Sequence, residues 1–342
     1  MRIDEFNYNL PKELIAQKPC ERRDHSRMMV VDRKEGTIEC RHFFELHDFL
    51  NSGDVLTVND SKVIPARLHG KKTTGGIIEI LLLARPAATH TWEVLLRPAK
   101  RLAVGMKIFF GNSSWAEVKD RLSDKKWVLD FHLDSSFEDF LKTYGRAPLP
   151  PYIKRGKKND NYEDDLKRYQ TIYAKSPGSV AAPTAGLHFS EEAIAALGKK
   201  NIAIAPVTLH VGYGTFLPVE TENVEDHRAE KEFFEITNRT AETINNADRL
   251  IAVGTTSVRT LETVSDKTGH ITPGEGETDL FIYPGYRFKR VEGLVTNFHL
   301  PQSSLFLLVC AFAGRELMLK AYNRAVHEGF RFYSYGDCML IL

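Results

Sequence analysis

Cysteine is scarce in this chain and never clustered: Cys20, Cys40, Cys310 and Cys338 lie far apart, with no C-x-x-C pair. That spacing argues against a zinc site and a disulfide-stapled module, and leaves reduced thiols in a cytosolic protein as the expectation. Long hydrophobic runs are also missing. The longest, LFLLVCAFAG at 305–314, falls far short of the roughly 20 residues that span a bilayer. The opening MRIDEFNYNL holds no apolar signal core, so a cytoplasmic location is expected. Nor is there an excess of either charge: 46 Lys and Arg face 45 Asp and Glu, a net charge of +1. A polyanionic partner must therefore be gripped by a local patch, because no global field draws it in.

Several signatures are absent as well. There is no G-x-x-x-x-G-K phosphate loop, no G-x-S-x-G elbow, and no third glycine after the G-Y-G at 212–214. No H-x-x-x-H pair or Cys/His cluster suggests a metal, and none is expected.

What is present is an ordinary globular composition, 42% hydrophobic and 27% charged, which rules out disorder as the main state. A length of 342 residues suits two domains. From 61 to about 134 the texture is one of short alternating runs, such as SKVIPARL, GGIIEILLL, TWEVLLRP and KKWVLDFHL. These predict five or six antiparallel strands in a small barrel. Outside it, helical periods alternate with apolar strands: SEEAIAALGKKN with Ser190 as N-cap precedes IAIAPVTLHV, and RLIAVGTTSVRTLETV reads as strand, turn and helix. TDLFIY and GLVTNFHLP read as strands, and SSLFLLVCAF and RELMLKAYNRAVHEG as helices. The expected fold is α/β: a mainly parallel sheet with flanking helices, discontinuous, over 1–60 and 150–342, with the antiparallel β-barrel inserted at 61–149.

Three segments look suited to chemistry. AAPTAGLHFS at 181–190 is stripped of bulk before His188 and Phe189; LHVGYGTF places His210 before two glycines; TNFHLPQSSL places His299 before a proline and hydroxyls. A satisfied core histidine explains any one of them, but three such strand ends together point to the crevice beyond the carboxyl ends of an α/β sheet. Bare backbone, as at Gly186 and Gly212, lets a flat ligand lie against the main chain. VGTTSVRT opens a helix with Thr255, Thr256 and Ser257, where an anion or polar group can sit; a well-capped helix explains that segment equally. Asp60, Asp279 and Asp337 stand in apolar or small contexts, where turn and cap roles are the plain alternative. The crossing at 149–170 carries Lys154, Arg155, Lys157, Lys158 and Lys167, a solvated linker or a phosphate-binding run.

Taken in order, VNDSKVIPARL, SVAAPTAGLHF, TLHVGYGTF, VGTTSVRTLE, TDLFIYPGYRFKRVEGLVTNFHLP and SYGD resemble the S-adenosylmethionine:tRNA ribosyltransferase-isomerase family of queuosine biosynthesis. The likeness runs from LPKELIAQKP at 10–19 to the C-terminus. It implies an α/β domain interrupted by a β-barrel. It also implies transfer and isomerisation of the ribosyl moiety of S-adenosylmethionine onto 7-aminomethyl-7-deazaguanine at the tRNA wobble position, giving epoxyqueuosine, adenine and methionine. S-adenosylmethionine is then a substrate rather than a prosthetic group, the anticodon loop of tRNA is the partner, and a monomer is expected. Where relatives commonly read D-H-x-M-H-S-E this chain has DHRAEKE: His227 and Glu232 match, and Glu230 replaces a histidine. Leu217, Gln302 and Cys338 also depart from the pattern.

That reaction needs a base beside the sulfonium-activated carbon, and histidine suits the task at neutral pH. His188 or His299 is expected to be the base, helped by His210 or Asp279. Asn297 and Asp337 are candidates to meet the adenine, Phe189 and Tyr283 to stack on bases, and Asp60, Gly186 and Gly212 to complete the substrate pocket. Each stacked base is worth roughly 1–3 kcal/mol. Thr255, Thr256 and Ser257 would hold a carboxylate or ribose hydroxyls. Lys62, Arg67, Lys154, Arg155 and Arg259 are the expected tRNA contacts. Two other classes stay open, a non-catalytic RNA-binding protein and an S-adenosylmethionine-dependent RNA methyltransferase. The first leaves the strand-end residues unexplained, and the second lacks a glycine-rich turn with a ribose acid.

Overall fold

The computed structural model describes residues 1–83, 90–100, 102–155, 162–216 and 218–342, with Thr215 and Phe216 described by their backbone alone. Lys157, Lys158 and Leu217 lie outside the described residues.

Among the described residues, nine strands form one sheet. Their spatial order is Gly274–Thr278, Glu232–Ile236, Ala203–Leu209, Asp54–Asn59, Arg249–Val253, Gly293–Asn297, Cys338–Ile341, Arg27–Asp32 and Thr37–His42. The middle of the sheet, from Ala203–Leu209 to Gly293–Asn297, is parallel. Asp54–Asn59, Gly293–Asn297 and Cys338–Ile341 are buried at every position, the pattern of strands covered by helices on both faces.

The sheet as a whole is mixed rather than mainly parallel, because four of its eight pairings run antiparallel. One of these shows why. Arg27–Asp32 and Thr37–His42 are joined by a tight turn in which Asp32 Oδ1 accepts from the amides of Lys34 and Glu35, at 2.8 and 3.0 Å. A connection that short leaves no room for a parallel crossover.

The second assembly is a closed antiparallel barrel of six strands, Arg67–Lys72, Ile77–Leu82, Thr91–Arg97, Lys107–Phe110, Ser114–Arg121 and Lys126–His132. Alternate burial along Thr91–Arg97 and Lys126–His132 sends Trp92, Val94, Leu96, Trp127, Leu129 and Phe131 inward. The helix Phe137–Tyr144, capped by Ser136, adds Phe140 and Leu141 to that core.

Two segments expected as ordinary strands behave otherwise. Ser61–Val63 does not join the barrel; it pairs in parallel with Ser176–Ser179, so the outgoing and returning chain lie side by side. TDLFIY leaves its strand at Thr278, because Ile282 turns into the main core and Arg259 Nε takes the Leu280 carbonyl at 2.9 Å.

The helices Ser304–Ala313 and Arg315–His327 pack with the sheet around an aromatic cluster of Tyr8, Phe298, Phe306, Tyr322, Phe330 and Phe332. Phe298 lies 5.3, 5.4 and 5.0 Å from the rings of Tyr322, Phe330 and Phe332 and is fully buried. Phe298→Ala should lower stability by about 3–5 kcal/mol, the cost of lost contacts plus a cavity, read from the urea unfolding midpoint.

Candidate active site

Two cavities open at the carboxyl ends of the central strands, and Pro218 and Leu305 stand on the walls of both. The larger, about 380 Å³, has polar walls at Thr255, Thr256, Arg259, Glu232 and His227 and apolar walls at Phe281, Leu305 and Leu308. The smaller, about 40 Å³, is bounded by Thr184, Asn297, His299, Tyr333 and Ser334. Carboxyl-end crevices are where open α/β sheets hold ligands.

His299 follows the strand Gly293–Asn297 by two residues and faces the smaller cavity. Its backbone is fixed from both sides: the Tyr8 hydroxyl donates to its carbonyl, and its amide donates to the Tyr322 hydroxyl at 3.2 Å. Nε2 lies 2.8 Å from Thr296 Oγ1. No described residue engages Nδ1, so with the proton on Nε2 that nitrogen keeps a free lone pair on a residue that lines the cavity. Burial holds this imidazole at a pKa of about 3, so it is neutral throughout the physiological range.

His188 is close by but fully engaged. Nδ1 is 2.7 Å from Ser26 Oγ and Nε2 is 3.1 Å from Asn297 Nδ2. Burial, reinforced by Arg331 and Arg23, also holds it at about 3. Asn297 in turn accepts from Thr184 Oγ1 at 2.8 Å and donates to the Tyr333 carbonyl at 3.3 Å. Tyr333 has a φ of +72°, costly for a bulky residue, and its ring meets Tyr152 at 4.0 Å on the cavity wall.

His210 is not brought to either cavity. Its Nδ1 is 2.9 Å from Ser61 Oγ, and it packs so tightly on Gly178 that a Cβ there would lie 2.6 Å from the ring. His188 closes the 3-10 helix Thr184–His188 rather than a strand, so only two of the three histidines follow strands; His188 and His299 converge, and His210 serves the Ser61–Ser179 ladder.

The larger cavity is organised by Glu232, a buried carboxylate that sequence reasoning noted only as a family match. It pairs with the Arg259 guanidinium and accepts from the Gly212 amide at 2.7 Å. The inward phase of EFFEI, buried at alternate positions, is the signal that marked this glutamate. Gly254, at φ +88°, starts the helix Thr255–Val264 in a conformation that favours glycine. Thr255 and Thr256 at that helix start reach the cavity, and Thr256 Oγ1 is buried without a hydrogen-bond partner. Ser257 does not reach it: its hydroxyl donates to the Val253 carbonyl at 2.8 Å. His227 and Phe281, in edge contact at 4.7 Å, were not expected as wall residues. Burial, and then Arg228, lowers the His227 pKa.

Other expected site residues have structural partners instead. Phe189 is fully buried edge-on to Phe43 and Tyr173, so no base can stack on it. Gly186 is bare because a Cβ would lie 2.1 Å from the Tyr173 hydroxyl, and Gly212 spends its amide on Glu232. Asp337 accepts from the amides of Arg27 and Arg331 at 3.1 and 2.8 Å and pairs with the Arg331 guanidinium, which leaves no carboxyl for adenine. Asp279 is exposed and borders neither cavity, and Tyr283 packs on Phe281 at 5.3 Å behind the wall. Asp60 accepts from Thr208 Oγ1 at 2.7 Å, and burial raises its pKa. Arg259 sits 13% exposed in the cavity wall, so it is no surface phosphate contact. Lys62 and Lys154 are exposed, whereas Arg67 and Arg155 pair with Glu79 and Asp165.

A mixed α/β sheet with a polar, carboxyl-end crevice defines the class: an enzyme that binds small polar ligands over its strand ends. Comparison narrows this to one family. The family described as Queuosine biosynthesis protein matches residues 3–341, and the chain belongs to it. The S-adenosylmethionine:tRNA ribosyltransferase-isomerase of Syntrophus aciditrophicus is 56% identical over 361 residues, and that of Desulforamulus reducens 49% over 348, each alignment covering both chains fully. Among solved structures, the S-adenosylmethionine tRNA ribosyltransferase of Thermotoga maritima is 36% identical, with a TM-score of 0.54 over 99% of this chain and 100% of that one.

The two depressed histidines set a pH signature. In the unfolded chain each titrates near 6.5, so as pH falls below that value the unfolded state binds protons that the folded state refuses. Their contribution to stability is whole above about pH 6.5 and falls by up to about 1.4 kcal/mol per pH unit per histidine toward pH 3. Unfolding midpoints measured from pH 7 to 4.5 should drop steeply, and less steeply in His188→Gln.

Proposed function

We propose that the protein transfers and isomerises the ribosyl moiety of S-adenosylmethionine onto 7-aminomethyl-7-deazaguanine at the wobble position of tRNA, releasing adenine and methionine. Relatives named for this activity that match the whole chain support the reading. So does one observation on the site: adjoining cavities, one lined by an unprotonated imidazole with a free ring nitrogen, the other by an unpartnered hydroxyl at a helix start.

His299 is the base in this reading. Nδ1 takes a proton from the carbon next to the sulfonium, and the electron pair left on that carbon drives the bond changes that expel adenine. The unprotonated amine of the deazaguanine then bonds to the ribosyl group as methionine departs. An imidazole held near 3 is a weak base, so the acidity conferred by the sulfonium carries the step, and Thr296 accepting from Nε2–H steadies the imidazolium. Hydroxyls of Thr255 and Thr256, with the positive end of their helix, hold the methionine carboxylate. Phe281, Leu305 and Leu308 supply an apolar wall for a base. His188 orients Asn297 rather than reacting. A tRNA substrate is consistent with a cytoplasmic protein. Among the described residues no helix is long and apolar enough to cross a membrane.

The test is to incubate the protein with S-adenosylmethionine and tRNA carrying the deazaguanine precursor, and to measure free adenine and methionine. S-adenosylhomocysteine in their place would mean methyl transfer, and no turnover would mean a binding protein. His299→Ala should cut adenine release by about 10²–10⁴-fold with the fold retained, while His210→Ala stays near the parent rate. Undiminished release in His299→Ala would remove it from the mechanism.

A further inference from the structure

A third cleft, of about 700 Å³, lies between the barrel strands and the returning chain at 146–155 and 162–165. Its walls carry four guanidiniums, Arg67, Arg97, Arg146 and Arg155, against two carboxylates, Glu79 and Asp165. Those carboxylates are already spoken for. Arg67 Nη1 donates to Glu79 at 2.6 Å, and Arg155 holds Asp165 through Nε and Nη2, at 2.9 and 2.7 Å. Arg97 and Arg146 are left without a carboxylate partner among the described residues. Arg97 is exposed at the end of its strand, and the guanidinium of Arg146 lies 3.8 Å over the Tyr162 ring. In a chain with a net charge of +1, this is a local cationic surplus with aromatic rings set into it, Tyr162 and Tyr213.

The position of the cleft matters as much as its charge. Tyr213 lines it and the next residue, Gly214, lines the 380 Å³ cavity; likewise Ile153 lines it and Tyr152 lines the His299 cavity. The cationic cleft therefore adjoins both parts of the candidate active site through residues consecutive in the chain.

We propose that this cleft is the track for the single-stranded RNA backbone on the approach to the active site, with Arg97 and Arg146 as its phosphate contacts. A strand lying there meets two uncommitted cations, and its next base passes over Tyr213 into the cavity at Gly214. Guanidiniums with aromatic faces in a groove are the means by which proteins hold unpaired nucleic acid. This rests on the tRNA substrate proposed above and adds the surface that binds it.

The experiment uses the full-length protein, tRNA carrying the deazaguanine at the wobble position, and the variants Arg97→Gln, Arg146→Gln, the double variant, Arg146→Lys and, as a distant control, Lys320→Gln. Affinity is measured from 50 to 300 mM salt, and steady-state constants for both substrates are measured alongside. Each glutamine variant should weaken tRNA binding several-fold and reduce the slope of log affinity against log salt by roughly 0.7–0.9. KM for tRNA should rise while kcat and KM for S-adenosylmethionine stay within two-fold. Arg146→Lys should recover most of the slope, and Lys320→Gln should change nothing. An unchanged slope and KM in the double variant, with the parent protein turning over, would overturn the track; so would loss of binding to anionic phospholipid vesicles with tRNA affinity intact. Absence of adenine release by the parent protein, with the slope still falling in the variants, would instead overturn the assigned reaction and leave the RNA track standing.

Discussion

Asn297 stands at the carboxyl end of a strand buried at all five positions, and its amide is spent on two separate segments: Thr184 and His188, at either end of one 3-10 turn, and the carbonyl of Tyr333. In a low-dielectric interior an unmade hydrogen bond there costs about 1–3 kcal/mol, so both segments are held to the strand end together. The bare stretch at 181–190 owes its composition to this. It must slide beneath Tyr173 and Thr171 to put His188 against Asn297, and any side chain at Gly186 would collide. The smaller cavity is what is left between these segments, with His299 on the one side that the network does not close.

Glu232 performs the equivalent task in the larger cavity. A carboxylate 6% exposed is tolerable because Arg259 and the Gly212 amide both bind it. It draws the loop after His210 toward the helix Thr255–Val264, and so brings Gly214 to a wall that also holds Thr256. On the far side of the same loop, Tyr213 packs against the barrel core. The ion pair between Lys126 of the barrel and Glu230 ties the neighbouring segment to it as well. Glu230, where the resemblance leads one to expect histidine, thus has a partner here that charge alone explains.

Much of this was legible in the residues. Alternating runs announced the barrel, continuous apolar runs the buried strands, and Ser190 its helix start. The three histidines were visible as a set, but neither their division nor the 3-10 turn that carries His188 was. Whether an imidazole is engaged at both nitrogens depends on Ser26 and Asn297, residues far away in sequence, and no local pattern encodes such a meeting. The roles given to Phe189 and Asp337 failed for a related reason: a ring or carboxylate in a small-residue context reads alike whether it faces a ligand or the interior. The cationic cleft was hidden because Arg67, Arg97, Arg146 and Arg155 come from separate strands and loops. The run of basic residues at 154–158 drew attention to the crossing at 149–170, whereas Arg97 and Arg146 lie outside it.

The chain departs from the central sheet at Asp60 and comes back to the same spot, for the Asp60 carbonyl accepts from the amides of both Lys175 and Ser176, at 2.7 and 3.2 Å. The parallel ladder of Ser61–Val63 with Ser176–Ser179 then seals the seam. Strand order and register in the sheet are therefore indifferent to the length of chain in between. Lengthening or trimming of the excursion is absorbed at a closed seam, a topology that tolerates change in the outlying module while the strand-end crevice keeps its shape.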